Sequence, residues 1–119
     1  MKKESKLVTI TRNDISPGYQ KTQAIHSVAD FAYEYPSTFR KWKEDTNSVV
    51  TLQIENEFEL DKLYHKLKDK GIEVTKFYEP DIDSHTSICF WATPETRKIT
   101  SKLKLSLIEY GEDRLKTQA

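Results

Sequence analysis

The chain has 119 residues and lacks most of what usually marks a function from sequence. It has one cysteine, Cys89, so it can form neither an internal disulfide nor a cysteine-based zinc site. Cys89 sits in the apolar run Ile88-Cys89-Phe90-Trp91 and reads as a buried strand residue, not a nucleophile. There is no glycine-rich dinucleotide turn, no phosphate loop ending in Lys-Ser/Thr, no metalloprotease helix and no serine elbow. The histidines His26, His65 and His85 are far apart, so no metal and no cofactor are expected. An excess of one charge is missing too: Lys+Arg and Asp+Glu number 19 each, and no global field draws the chain onto nucleic acid or a membrane. No apolar stretch approaches the ~20 residues that span a bilayer. The start, Met1-Lys2-Lys3-Glu4-Ser5-Lys6, has no hydrophobic signal core. These absences predict a soluble, cytoplasmic protein.

What is present suits one small domain. Apolar residues make up 36% and aromatics 11%, enough for a modest core, while the 32% that are charged predict a well-solvated surface. Basic residues cluster at Lys2/Lys3/Lys6, Arg40/Lys41/Lys43, Lys66/Lys68/Lys70 and Arg97/Lys98/Lys102/Lys104. They read as solvated helix faces, with a local phosphate-binding face as the alternative.

Periodicity divides the chain into elements. Leu7 to Arg12 is rich in β-formers, as for a strand covered on both faces. Ser16 can cap a following helix, with Pro17 at its first position. Ala24, Val28, Phe31, Ala32 and Tyr35 form the helix's apolar stripe, widened by Ile25 and Ala29. Pro36 ends it. Ser37 to Asp45 predicts a short helix anchored by Phe39 and Trp42, and Ser48 to Ile54 a second strand. Glu57 to Lys70 is amphipathic, with Asn56 as cap, acids first, bases last and Gly71 as stop. Strands at Ile72–Tyr78 and Thr86–Ala92 flank a polar loop, Glu79 to His85. A helix opens at Pro94, and Leu103, Leu105 and Leu107 suggest an edge segment. The expected architecture is α/β: three-layer α/β/α, with a four-stranded mixed, mostly parallel sheet. A tail over 1–6, a single domain over 7–108 and a polar tail over 109–119 complete the expectation.

Two polar constellations stand out. The turn Asn13-Asp14-Ile15-Ser16-Pro17-Gly18 aims a helix N-terminus, with its free N–H groups and positive dipole end, beyond the strand tip. Tyr19, Gln20, Gln23 and His26 line the helix behind it, and Asp30 stands four residues from His26 to orient the imidazole. The second constellation is Glu79-Pro80-Asp81-Ile82-Asp83-Ser84-His85-Thr86, rich in carboxylates with a hydroxyl and an imidazole. Brought to one end of the sheet, the two sets could hold a water, polarise a carbonyl and steady an oxyanion.

On these residues the chain resembles the type-2 peptidyl-tRNA hydrolases. The matching features are the strand Val8-Thr9-Ile10-Thr11-Arg12, then Asp14, then Gly18, then Gln23-Ala24-Ile25-His26-Ser27. The order of later elements also agrees, over residues 7–107. The resemblance implies metal-independent hydrolysis of the ester between a peptide, or an N-blocked amino acid, and the terminal ribose of tRNA, a reaction of translation. It implies Gln23, His26, Asp81 and Thr86 as catalytic residues, with Glu79 or Asp83 as other candidates for the carboxylate. The substrate-binding set is Gly18, Tyr19, Gln20, Lys21, Arg40, Lys41, Lys43 and His85; Lys21, Arg40, Lys41 and Lys43 would follow the tRNA acceptor stem through phosphate contacts. The family's lysine after the glycine is Tyr19 here. That replacement favours a second reading, a non-catalytic module in which Tyr19 stacks on a base of tRNA or another RNA. A third is a protein-interaction module, such as a homodimer formed through exposed aromatics like Phe39 and Trp42.

Overall fold

The computed structural model describes residues 5–109, so the tails expected at 1–6 and 109–119 lie almost wholly outside it. The described elements are β1 (Leu7–Arg12), α1 (Pro17–Glu34), α2 (Pro36–Asp45), β2 (Val49–Ile54), α3 (Glu57–Asp69), β3 (Val74–Glu79), a 3-10 turn (Pro80–Ile82), β4 (Ser84–Trp91) and α4 (Pro94–Ile99). Side chains take up free N–H groups at three helix starts. Ser16 accepts from the Tyr19 N–H at α1 and Asn56 from the Glu59 N–H at α3. At α4, Thr93 and Thr96 cap each other reciprocally. Gly71, at φ 77°, makes the left-handed turn after α3.

The sheet has the order β2-β1-β4-β3. β1 is parallel to β2, from Leu7↔Val49 to Arg12↔Ile54, and antiparallel to β4 through pairs such as Thr9↔Cys89. β3 is antiparallel to β4. The sheet is mixed but not mostly parallel, which corrects the expectation. The crossovers do make β1, β2 and β3 point the same way. The connection through α3, however, carries β3 past β1 to the far edge. The hairpin from β3 then returns β4 into the slot between them, where it opposes both neighbours. The loop expected at Glu79–His85 shrinks to the turn and Asp83, which sits in the left-handed region at φ 48°.

Alternation along the strands divides the buried residues. Val8, Ile10, Leu52, Ile54, Val74, Ile88 and Phe90 pack with Leu60 and Leu67 of α3. Leu7 and Cys89 pack with Phe31 of α1 and Trp42 of α2. Burial pushes the Cys89 thiol up to about 12, in keeping with an inert strand residue. Two apolar expectations fail. Ile25 is 69% exposed and Ala29 is also exposed, because α1 turns Gln20, Gln23, Ser27 and Phe31 toward the sheet. Trp42 is buried, with its Nε1 donating to the Ser48 carbonyl, and Phe39 packs beside it, so neither is a free aromatic for a homodimer. The edge segment does form: Leu105 bridges Leu52 antiparallel and covers part of the β2 edge. No helix of the described residues is long and apolar enough to cross a membrane.

Candidate active site

The amino end of α1 lies beyond the carboxyl end of β1, and α1 packs over β4, β3 and β1. Near this end the residues it buries are polar. Gln23 is fully buried and acts as a hub. Its Nε2 donates to Glu79 Oε1 at 2.9 Å, and its Oε1 accepts from the Thr86 hydroxyl at 2.6 Å. Its backbone carbonyl accepts from the Ser87 hydroxyl at 2.7 Å. One helical turn later, Thr75 of β3 donates to the Ser27 carbonyl in the same way at 3.3 Å.

Thr86 and Ser87 are consecutive, yet both reach Gln23. In a regular strand they would point to opposite faces. The pairing explains this: Phe77 faces Ser87 while Tyr78 faces His85, so Thr86 is an extra residue, a bulge in β4. The bulge turns Thr86 onto the α1 side.

Glu79, at the end of β3, is the carboxylate this network holds. It is 8% exposed, so only an edge meets solvent. Its Oε2 also accepts the Asp81 N–H at 3.4 Å. The hydrogen bond from Gln23 holds the Glu79 carboxyl below the usual carboxylate range against the opposing effect of burial; the Asp81 N–H, His26 and Tyr19 add to the lowering. Glu79 is therefore ionised at neutral pH. Tyr19 stands over it, half-buried. Burial, followed by the negative charges of Glu79 and Asp81, raises its phenol above the ordinary value.

His26 stacks on Phe77, with ring centroids 4.5 Å apart and 14° between the planes, which fixes the imidazole at the rim. Asp30 follows one turn later, its carboxyl raised by burial and partly offset by His26. Gln20 is buried and donates to the Ile15 carbonyl at 2.8 Å, pinning the turn. Gly18 is exposed, and a Cβ there would meet nothing within 4 Å. Asp81 is exposed and reaches the network through its backbone, not its carboxylate.

The remaining expected residues are not brought to this point. His85 lies on the other face of β4. Its backbone N–H donates to Glu57 at 2.7 Å, and its Nδ1 is 3.7 Å from Glu57 and 3.8 Å from Asp61. These three side chains could hold a cation, but the Lys76 ammonium already sits 3.2 Å from Asp61. Arg40, Lys41 and Lys43 are on α2, whose carboxyl end leads into Val49 beside Leu7. That is the opposite end of β1 from Gly18, about 17 Å away along the strand. Lys21 is exposed and sits about 200° around α1 from Tyr19.

Arg12 ties the site's frame together. Its Nε and Nη2 each donate to the Asp14 carboxylate at 2.8 Å, and its Nη1 donates to the Ser84 hydroxyl. The guanidinium holds the Asp14 carboxyl below the usual range. The clamp joins the end of β1 to the start of β4, two residues before the bulge.

The sequence model of the family described as peptidyl-tRNA hydrolase PTH2 matches residues 5–107. The chain belongs to the type-2 peptidyl-tRNA hydrolase family. No curated protein matches it. Among solved structures it is similar to a protein of unknown function from Agrobacterium tumefaciens strain C58, with a TM-score of 0.63 and 13% identity over 88% of this chain and 98% of that one. At that identity the likeness concerns the fold alone. The strand β1, the Arg12-Asn13-Asp14 turn and Gln23 lie together at the end of the sheet where α1 begins. The sequence reading puts Asp81 first, with Glu79 or Asp83 as other candidates; burial and the hydrogen bond from Gln23 distinguish Glu79 from the two exposed aspartates. Ser87 carried no sequence signal, because its part depends on the bulge.

Proposed function

We propose that this chain hydrolyses the ester between an acyl group, a peptide or an N-blocked amino acid, and the terminal ribose of tRNA. The observation that carries this reading is the ionised Glu79 carboxylate, held by a buried Gln23–Thr86 chain at the mouth where α1 begins. Family membership supports it.

Burial divides the roles. Gln23 and Thr86 are inaccessible and act as positioning residues: Thr86 fixes the amide of Gln23, which fixes Glu79. The groups within reach of a substrate are Glu79, His26, Tyr19, Gly18 and Asp81. The ester carbonyl would lie over the open first turn of α1, whose N–H groups and dipole steady the developing oxyanion. A water held at Glu79 attacks the carbonyl carbon and gives a proton to the fixed His26 imidazole. The bond from that carbon to the ribose oxygen then breaks, and the ribose oxygen takes up a proton. The carboxylate of Glu79 is a weak base, so its part is to orient the water and stabilise the imidazolium.

Release of the acyl group from acyl-tRNA by purified protein tests this reading, beside Glu79→Gln and Gln23→Ala. Turnover that falls in both variants while they remain folded supports the hydrolase. Turnover unaffected by either would sink it. Tyr19 in place of the family's lysine favours one other reading, a tRNA-binding module without turnover, which predicts salt-dependent tRNA binding and no acyl release.

A further inference from the structure

We propose that the open edge of the sheet, along β3, is the docking surface for the peptide of the substrate, which adds there as a further strand. The place of the ester rests on the hydrolase reading; the open edge rests on the geometry of the sheet alone.

The order β2-β1-β4-β3 leaves β2 and β3 at the edges. The segment after α4 covers part of the β2 edge: Leu105 bridges Leu52, the Gln53 N–H donates to the Lys104 carbonyl and the Ser106 N–H to the Thr51 carbonyl. β3 pairs with β4 alone. The Trp91 N–H donates to the Glu73 carbonyl, which makes these two a hydrogen-bonded pair. Such pairs alternate along an antiparallel ladder, so Thr75 and Phe77 also bond toward β4. The N–H and C=O groups of Val74, Lys76 and Tyr78 therefore face outward. Among the described residues none of these groups has a partner. An edge left in that condition pairs with an extended chain.

The occupant follows from where the edge leads. β3 runs from Val74 to Glu79, the carboxylate at the mouth. A peptide esterified to the ribose presents its last residue there and extends back along β3, parallel to it. The strand spans about 20 Å, room for roughly the last five residues of a peptide. Main-chain hydrogen bonds read no side chain, so such an edge takes peptides of any sequence. Side chains of the added strand alternate between the α1 face, where His26 stacks on Phe77, and the α3 face, where Tyr78 is exposed.

Uncleavable probes test this: adenosine carrying on its 3′ position, through an amide, either N-acetyl-alanine or N-acetyl-tetra-alanine. Calorimetry should show the longer probe bound at least about tenfold more tightly. Long probes N-methylated at the second or at the third residue from the adenosine are then compared. Only alternate N–H groups of a strand face its partner, so one methylation should remove most of the gain and the other little. Lys76→Pro deletes an outward N–H and no bond to β4, so it should erase the gain, while Lys76→Gln should keep it. Equal affinities of the short and long probes, binding of neither, methylations of equal effect, or a gain that survives in folded Lys76→Pro would overturn the proposal. So would a dimer that separates in Lys76→Pro with no dependence on probe length, which gives the edge to a second copy of this chain. Hydrolysis of N-acetyl-alanyl-tRNA and N-acetyl-tetra-alanyl-tRNA is then compared. Cleavage of both with no effect of length removes the edge docking and keeps the hydrolase. Length-dependent binding with cleavage of neither does the reverse.

Discussion

The two sides of this sheet are filled with different chemistry. Toward α3 the buried residues are Val8, Ile10, Leu60, Leu67, Val74, Ile88 and Phe90. Toward the first half of α1 they are Thr9, Thr11, Gln20, Gln23, Ser27, Thr75, Thr86 and Ser87. The α3 side relies on burial, which is worth about 1.5–3 kcal/mol for each large side chain and imposes little direction. The α1 side gains little from burial, but its hydrogen bonds fix where each group points. It also bears a cost: Thr9 Oγ1, Thr11 Oγ1 and Gln20 Oε1 are buried without a partner among the described residues. The α3 side holds the fold, and the α1 side spends stability on aiming Glu79.

If that division is right, damage to each side should read out differently. The largest effect on stability is expected from Leu60→Ala, a fully buried truncation on the α3 side that should cost about 2–5 kcal/mol. Denaturant unfolding measures it, and acyl release per folded molecule should stay near wild type. Glu79→Gln should do the opposite. It keeps the shape and an acceptor for Gln23 but removes the charge, and turnover should fall by about a hundredfold or more. Its pH signature is also defined. Because the folded-state value of Glu79 is depressed, the carboxylate's contribution to stability is present above the unfolded value. It is lost as pH falls through the folded value, so Glu79→Gln should flatten the acid limb of the stability curve. An unchanged acid limb would mean that the Gln23 contact contributes nothing to folding.

Two threonines on the α1 side sharpen the contrast, since the same change should have opposite signs. Thr86→Val leaves Gln23 Oε1 without its donor and should destabilise by about 1–3 kcal/mol, with turnover falling as Glu79 loses its fixed pose. Thr11→Val removes a buried hydroxyl that has no partner and should be neutral or stabilising by up to about 1 kcal/mol. Thermal melts of the two variants decide this. Loss of stability in both would mean that packing, not hydrogen bonding, governs this side.

Local signals in the sequence located the elements well. Ser16 and Asn56 cap helices where expected, Gly71 ends α3, and β1 spans Leu7–Arg12 as predicted. Non-local facts were not legible. Sequence could not show that β4 inserts between β1 and β3, because that depends on where α3 deposits β3. Nor could it show the bulge at Thr86, since alternation along Ser84–Trp91 gives no sign of an extra residue. The rotation of α1 is hidden for a related reason: apolarity alone puts Ile25 and Ala29 in the buried stripe, while the polar surface beneath α1 selects glutamine and serine. The site is therefore the least legible part, because its geometry comes from the contacts between elements.

The smallest expected effect tests how far the functional end extends. Arg40, Lys41 and Lys43 were natural candidates for phosphate contacts, but α2 places them at the other end of β1. Arg40 and Lys41 border a shallow depression with Glu44 and Asp45, where nearby acids blunt their field. Replacing all three by Gln should change stability by about 0.5 kcal/mol or less per site. If tRNA docks only at the α1 end, the slope of log affinity against log salt should not move. Each phosphate contact made by these residues would instead lower that slope by about one on removal. A drop of two or three would mean that bound tRNA runs along α1 from the Tyr19 mouth to α2, and that the division between the two ends of the sheet does not hold for binding.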